Sequence, residues 1–245
     1  MLDSLLNFVF PPCCVSCGKI AKDWICKDCQ IKVNDLYKSR LIKKSKYDFG
    51  YIFKYDGVIR NLMIKFKFFE SPFVSHFFVS EILKSEKIIG KLLFYDIIIP
   101  VGMSKKKQKE RGYNQTYVVS KLLAKELNKI ILNSDTNKRI KCYDIMHKKE
   151  GIKQQAKLTK KERMQNVKGA YYIDDYDKVL IDNKNIILLD DIYTTGATVS
   201  ECVSILKQAK CNKIFVLTLA KDEIYGGSME DLVDSILDYV RADYT

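Results

Sequence analysis

Two adjacent carboxylates, Asp190 and Asp191, stand just before a run of small residues, Thr194, Thr195, Gly196, Ala197 and Thr198. A small-residue loop entering a helix aims unpaired backbone N–H groups, hydroxyls and the positive helix end at one point, which suits a phosphate. The carboxylates must serve something else. Placed before the loop, they can accept hydrogen bonds from sugar hydroxyls, directly or through Mg²⁺. A phosphorylated ribose satisfies both halves. The plain alternative is a solvated Asp pair followed by a Thr-capped helix start; the conjunction favours a ligand. Neither a Walker A pattern nor a Gly-x-Gly-x-x-Gly fingerprint competes with this segment.

Two further clusters carry chemistry. Met103 to Arg111 contains Lys105, Lys106, Lys107, Lys109 and Arg111. A Lys-rich surface loop is commonly just solvated, but this one leaves the same type of sheet edge as the Asp pair, so Lys105 and Arg111 are read as pyrophosphate ligands. Five of the eight cysteines fall in the first 29 residues, and Cys14-x2-Cys17 and Cys26-x2-Cys29 form two knuckle-like pairs. In a reducing compartment such pairs match a closed tetrahedral Zn²⁺ site of structural type. Gly18 is free to take positive φ after the first knuckle. Cys13 is left as a spare thiol because only Cys14 preserves the two-residue spacing.

The elements that must position these residues follow from periodicity. Ile186 to Leu189 reads as a strand buried on both faces, Val199, Cys202, Val203 and Leu206 as a helical stripe, and Ile214 to Leu219 as the next strand. Together they form one βαβ unit. A second unit starts with the strand Ile97 to Ile99 and continues, after the basic loop, into a helix from Tyr113 with a stripe through Val118, Leu122 and Leu127. Leu189 and Ile99 should end strands on one sheet edge, where open α/β sheets bind ligands. Phe49, Tyr51, Phe53 and Tyr55 alternate like a half-buried strand, and a helix is expected from about Val58 to Phe69. In that helix Lys65 and Lys67 interleave with Phe66, Phe68 and Phe69, either packing the core with snorkelling lysines or offering a base-stacking surface. Ser39 to Tyr47, with Arg40, Lys43, Lys44 and Lys46, reads as a linker, and polar Gly151 to Lys168 as either a mobile lid or a solvated helix and loop.

The chain of 245 residues, 47% hydrophobic, can bury one α/β core and carry a small appendage. It has no run of eighteen apolar residues and no signal-like start, so a cytoplasmic location without a membrane span is expected. Net charge is +12. The residues from Asp222 onward contribute seven acidic groups and one Arg, or −6, which leaves +18 on the body. Only six of the 42 basic residues are Arg. That Lys-rich mix is also what AT-rich codons supply, so charge alone says little about a nucleic-acid partner.

The Asp-Asp and Thr-Thr-Gly-Ala-Thr segment resembles the phosphoribosyl pyrophosphate (PRPP) motif of type I phosphoribosyltransferases. Ile-Pro-Val-x8-Arg-Gly-Tyr-Asn-Gln, ending in Arg111, Gly112, Tyr113, Asn114 and Gln115, resembles the signature of the ComF family. So do Phe-x-Phe-Pro-Pro-x-Cys-x2-Cys-Gly at the start, and Gln155-x2-Leu158, Glu162-Arg163 and Asn166-Val167-Lys168-Gly169-Ala170-Tyr171. The likeness runs in family order over roughly residues 8 to 221. Lys149 and Ile152 stand where Arg and Thr are expected, and Glu70 where Gly is common.

The resemblance implies a mostly parallel type I phosphoribosyltransferase-like sheet with flanking helices over residues 49–221. A four-cysteine, zinc-ribbon-like segment and basic linker precede it at 1–48, and an acidic tail follows at 222–245. It implies that Asp190 and Asp191 hold the ribose and Mg²⁺ while Thr194 to Thr198 cradle the 5′-phosphate. Function divides two ways. One is a glycosyltransferase moving phosphoribose to an unknown acceptor, associated with DNA uptake in natural transformation and with competence-machinery proteins. The other is a non-catalytic PRPP-binding module that binds single-stranded DNA. Purine-type relatives place an acidic general base where Thr194 stands, and Thr194 cannot take that proton effectively at pH 7.

Overall fold

A computed structural model of the chain describes residues 13–22, 24–68, 73–133, 138–151 and 167–222. The start of the family signature, Glu70, most of the lid segment and the acidic tail beyond Asp222 lie outside these residues. The described elements are α1 (Lys27–Leu36), β1 (Tyr37–Lys43), β2 (Asp48–Lys54), α2 (Gly57–Phe68), α3 (Phe73–Leu83), α4 (Glu86–Leu92) and β3 (Ile97–Pro100). They continue with α5 (Lys105–Arg111), α6 (Gln115–Leu132), β4 (Lys141–Cys142), β5 (His147–Lys148), β6 (Tyr171–Tyr172), α7 (Asp175–Ile181), β7 (Ile186–Tyr193), α8 (Ala197–Gln208) and β8 (Ile214–Lys221).

Six strands form one sheet in the order β1-β2-β8-β7-β3-β4, all neighbours parallel except the antiparallel pair β1 and β2. This is the mostly parallel, helix-flanked architecture expected. Its apolar runs divide by alternation. Ile98, Ile187, Leu189, Phe215 and Leu217 face a core with α2, α3, α4 and α6. Ile97, Ile99, Ile186, Leu188, Ile214 and Val216 face a second core with α8 and β6. Both faces are covered, so neither set alternates with polar residues. Each fully buried Phe, such as Phe215, Phe53 or Phe78, contributes about 1.5–3 kcal/mol by leaving water.

Three expectations change. The alternating aromatics of β2 are buried on both faces, since Ile52 between them is also buried. The supposed linker is not one: Tyr37–Lys43 forms the antiparallel edge strand β1, with Leu41 opposite Gly50 and Ile42 opposite Phe49. Its lysines and arginine mask an edge whose backbone ladder is paired on one side only. The inward stripe of α6 is Val119, Leu123 and Leu127, one position on from the expected residues except at Leu127, because the helix starts at Gln115 behind an Asn114 cap.

The cysteine segment docks on the main body. Cys14, Cys29 and Val33 share the first core with Leu62 and Met63 of α2, so the short segment borrows apolar cover it cannot supply alone.

Two glycines give opposite tests of packing. A Cβ at Gly102, just after β3, would lie 1.8 Å from the Met146 carbonyl oxygen, whereas one at exposed Gly90 in α4 would meet nothing within 4 Å. Gly102→Ala is expected to lower the melting temperature by more than about 4 °C, and Gly90→Ala to raise it by about 2 °C through helix propensity. Scanning calorimetry of both variants checks this, and equal shifts would contradict the close approach at Gly102.

Candidate functional site

The carboxyl ends of the central strands meet at one edge. Pro100 of β3 pairs with Leu189 of β7, and Asp190 with Thr218 of β8. Ile99 and Leu189 thus end the buried runs side by side, as expected. β7, however, runs on to Tyr193, so Asp190 and Asp191 belong to the strand rather than to the loop after it. That register buries Asp190, 8% exposed, and leaves Asp191 facing a cavity.

The cavity, of about 420 Å³, is lined by Asp190, Asp191, Thr194 and Thr198. Gly102 and Ser104 from the β3–α5 connection and Lys107 and Arg111 of α5 also line it, with Lys67 from the end of α2 and Lys148 and Tyr171 from the antiparallel β5–β6 pair. Of the residues expected to bind pyrophosphate, Arg111 reaches the cavity; Lys105 is an exposed first residue of α5 outside the lining. Lys107, two positions further on, reaches in instead. The basic stretch is a helix, not a loop, capped by Ser104, whose hydroxyl accepts the Lys107 N–H at 3.4 Å. Lysines on a helix diverge in direction, and sequence did not show which one faces inward.

Thr194, Thr195 and Gly196 connect β7 to α8. Gly196 has φ +74° and caps α8, and a Cβ there would lie 2.3 Å from the Tyr193 hydroxyl, so glycine is required twice over. The N–H groups of the first turn of α8, from Ala197 onward, lack intrahelical acceptors. The Thr195 hydroxyl accepts the Ala197 N–H at 3.4 Å.

Electrostatics are concentrated at Asp190. Burial, and then the like charge of Asp191, push its pKa up to about 7, against the Asp191 N–H donated to it at 2.8 Å and the nearby Lys67 and Lys148. Lys67 Nζ lies 2.5 Å from Asp191 Oδ2. Burial works against the charge of Lys67, but the Asp191 carboxylate outweighs it and raises the pKa. Burial lowers the pKa of Lys107, helped by Lys148, Arg111 and Lys67, and burial also lowers that of Lys148. Four cations therefore converge on one space, the field an anionic ligand would relieve.

The Arg-Gly-Tyr-Asn-Gln segment explains how the cations are held. Gly112 ends α5 in the left-handed conformation, φ +76°. Asn114 caps α6 by accepting the Thr116 N–H at 3.2 Å. Tyr113 donates its hydroxyl to the Phe66 carbonyl at 2.5 Å, and Gln115 accepts from Arg111 at 3.1 Å. The segment thereby pins the end of α2 beside the site. Lys67, Lys148 and Tyr171 were not picked out as site residues by sequence, and Lys107 only as one of the basic cluster; for Lys67 the signal was its basic position between aromatics. Phe66 is buried in the core against Phe78 and Tyr113, so it does not offer a stacking face.

At the far side of α2, Cys14, Cys17, Cys26 and Cys29 bring their sulfur atoms within 4.8 Å of one another, and Cys17 and Cys26 are 3.7 Å apart. A tetrahedral ion with metal–sulfur bonds of about 2.3 Å sets sulfurs about 3.8 Å apart, so the donor set fits zinc. Gly18 takes φ +77° at the first knuckle, and Cys13 is outside the four-sulfur cluster.

No family model matches the sequence. The chain is 24% identical over 213 residues to competence protein ComFC of Bacillus subtilis, covering 85% of this chain and 77% of that one. It is 29% identical over 139 residues to competence protein F of Haemophilus influenzae, covering 57% of this chain and 56% of that protein. Among solved structures it overlaps a purine phosphoribosyltransferase from Pyrococcus horikoshii, at 17% identity, TM-score 0.36 and coverage of 62% of this chain and 78% of that one. It also overlaps an adenine phosphoribosyltransferase from Thermoanaerobacter pseudethanolicus at 12% identity and TM-score 0.36, covering 78% and 99%. With the four-cysteine cluster formed, the two sequence relatives, both competence proteins, are what this chain is similar to.

Proposed function

We propose that the cavity binds PRPP with Mg²⁺ and that the protein transfers the phosphoribosyl group to an acceptor in the context of DNA uptake. One observation carries this reading: Asp190 and Asp191 of β7 line a single cavity together with Lys107, Arg111, Thr194 and Thr198. The carboxylates accept the ribose hydroxyls, the start of α8 receives the 5′-phosphate, and Arg111 with Lys105 or Lys107 meets the pyrophosphate. Paired carboxylate oxygens suit a hard divalent ion, and the position beside Asp191 already accepts a cation, the ammonium of Lys67. Bound there, Mg²⁺ supplies charge neutralisation for the sugar and its leaving group.

In the transfer, an acceptor lone pair forms a bond to the anomeric carbon while the carbon–oxygen bond to pyrophosphate breaks, the electron pair leaving with pyrophosphate. Lys107 and Arg111 stabilise the charge that develops on that leaving oxygen. Thr194 stands where purine-type enzymes carry an acid, so this chain suits an acceptor that is nucleophilic without strong general-base help. The structural ion of the Cys14, Cys17, Cys26 and Cys29 cluster is zinc. Among the described residues no helix is long and apolar enough to cross a membrane, and the proposed setting is the cytoplasm. There single-stranded DNA and competence-machinery proteins are the partners the family context suggests.

PRPP with Mg²⁺ is expected to raise the melting temperature, because a ligand that binds only the folded chain shifts its unfolding equilibrium. Asp190→Asn combined with Asp191→Asn should remove the shift while preserving side-chain shape, and a shift that survives would end the ribose assignment. Asp190 is largely protonated below its pKa of about 7 and must ionise to face a cation. The PRPP–Mg²⁺ shift is therefore expected to be larger at pH 8 than at pH 6.

Protein purified without chelator is expected to contain one zinc per chain by elemental analysis, and zinc-free preparations would refute the assignment. Because Cys29 and Val33 share a core with Leu62, Cys29→Ser should lower the main cooperative melting transition, not only loosen the first segment.

A further inference from the structure

Lys67 occupies an unusual position for a cation near a sugar-phosphate site. Its ammonium sits 2.5 Å from Asp191 Oδ2, and both side chains are only about one-fifth exposed, 22% and 21%. The end of α2 that carries it is anchored: the Phe66 carbonyl accepts from Tyr113 at 2.5 Å and from Gln115 at 3.5 Å. The backbone is fixed while the four-carbon stem can turn. Asp190 and Asp191 act on the ammonium as nearby carboxylates, Lys107 feels its charge, and Arg111 and Lys148 line the same cavity.

We infer that Lys67 is a resident counter-cation of the carboxylate pair, competing with a divalent ion for Asp191 and moving to the anionic part of the ligand when an ion–diphosphate complex enters. This rests on the reading of Asp190 and Asp191 as the sugar and Mg²⁺ side of the site. A divalent ion beside Asp191 repels the ammonium, and an anion beside Lys107 and Arg111 attracts it, so both halves of the complex drive Lys67 the same way. A metal ion alone meets the competition without the compensating anion. An anion alone leaves the carboxylates paired with Lys67 and loses its contact. The site therefore favours the joint ligand over either component, and Lys67 is a positioning residue that couples the two halves. A divalent ion on the carboxylates without Lys67 would not need this exchange.

The test titrates the full zinc-loaded chain with Mn²⁺ alone, following free Mn²⁺ by electron paramagnetic resonance. Removing a hydrogen-bonded charge competitor should be worth about tenfold in affinity. Lys67→Met is expected to bind one Mn²⁺ about tenfold more tightly than the unaltered chain, and Lys67→Arg to keep the weaker value. Adding Asp191→Asn to Lys67→Met should abolish the gain. Lys67→Met should at the same time bind PRPP–Mg²⁺ more weakly, an opposite sign that general loss of structure does not produce. Equal or weaker Mn²⁺ binding by Lys67→Met, or a gain that survives Asp191→Asn, overturns the inference. The underlying reading fails separately, if the Asp190→Asn, Asp191→Asn chain keeps its PRPP thermal shift.

Discussion

The constraint on which this structure turns is the burial of one carboxylate beside another within a central parallel strand. Asp190 lies in the ladder between β7 and β8, 8% exposed, next to Asp191. Two adjacent carboxylates away from water repel each other and lose hydration, which is why Asp190 is driven up to about 7. The surroundings offset part of that cost. The Asp191 N–H donates to Asp190, the Ile192 N–H donates to Asp191 at 2.7 Å, and Lys67 closes on Asp191. A pair held at such expense in an apolar strand is poorly explained by stability alone, because apolar residues there would pack without the penalty.

Much of the remaining architecture aims cations at that pair. Three separate segments deliver them: the end of α2 brings Lys67, α5 brings Lys107 and Arg111, and β5 brings Lys148. Each has its own mechanical reason for being where it is. Gly102 lets the backbone after β3 pass against Met146. Tyr113 ties the α5–α6 turn to α2. Lys148 lies over the Tyr171 ring at 5.2 Å, its partner in the antiparallel β5–β6 pair that lines the cavity. Remove any one of these supports and the charges remain in the sequence but lose their common focus.

What could be read in the sequence was what depends on local pattern. The strand Ile186 to Leu189, the helix after Thr198 and the paired cysteines are contiguous signals, and the structure forms each of them. Lys67 and Lys148 were not legible as partners of Asp191 and Asp190, since they are distant in sequence and meet only when β7, α2 and β5 assemble. The basic segment before Gly112 could be placed at the right sheet edge, yet its helical turn chooses Lys107 over Lys105 for the cavity, a matter of orientation. The segment taken as a linker failed for a different reason. An edge strand buries little, so β1 shows charged residues where an interior strand shows apolar ones, and composition alone resembles a loop.

The cysteine cluster, far from the cavity's chemistry, bears on it through α2. That helix is held at its middle by Leu62 and Met63, in one core with Cys14, Cys29 and Val33, and at its end by Tyr113 and Gln115. Between these supports the helix has little freedom to slide, since a shift of one turn would break the carbonyl contacts at Phe66 and unpack Leu62 together. Lys67, one residue beyond Phe66, inherits that fixed position and meets Asp191 as a consequence. The first segment therefore also helps set where the Lys67 ammonium sits, which links the four-cysteine cluster physically to the carboxylate pair.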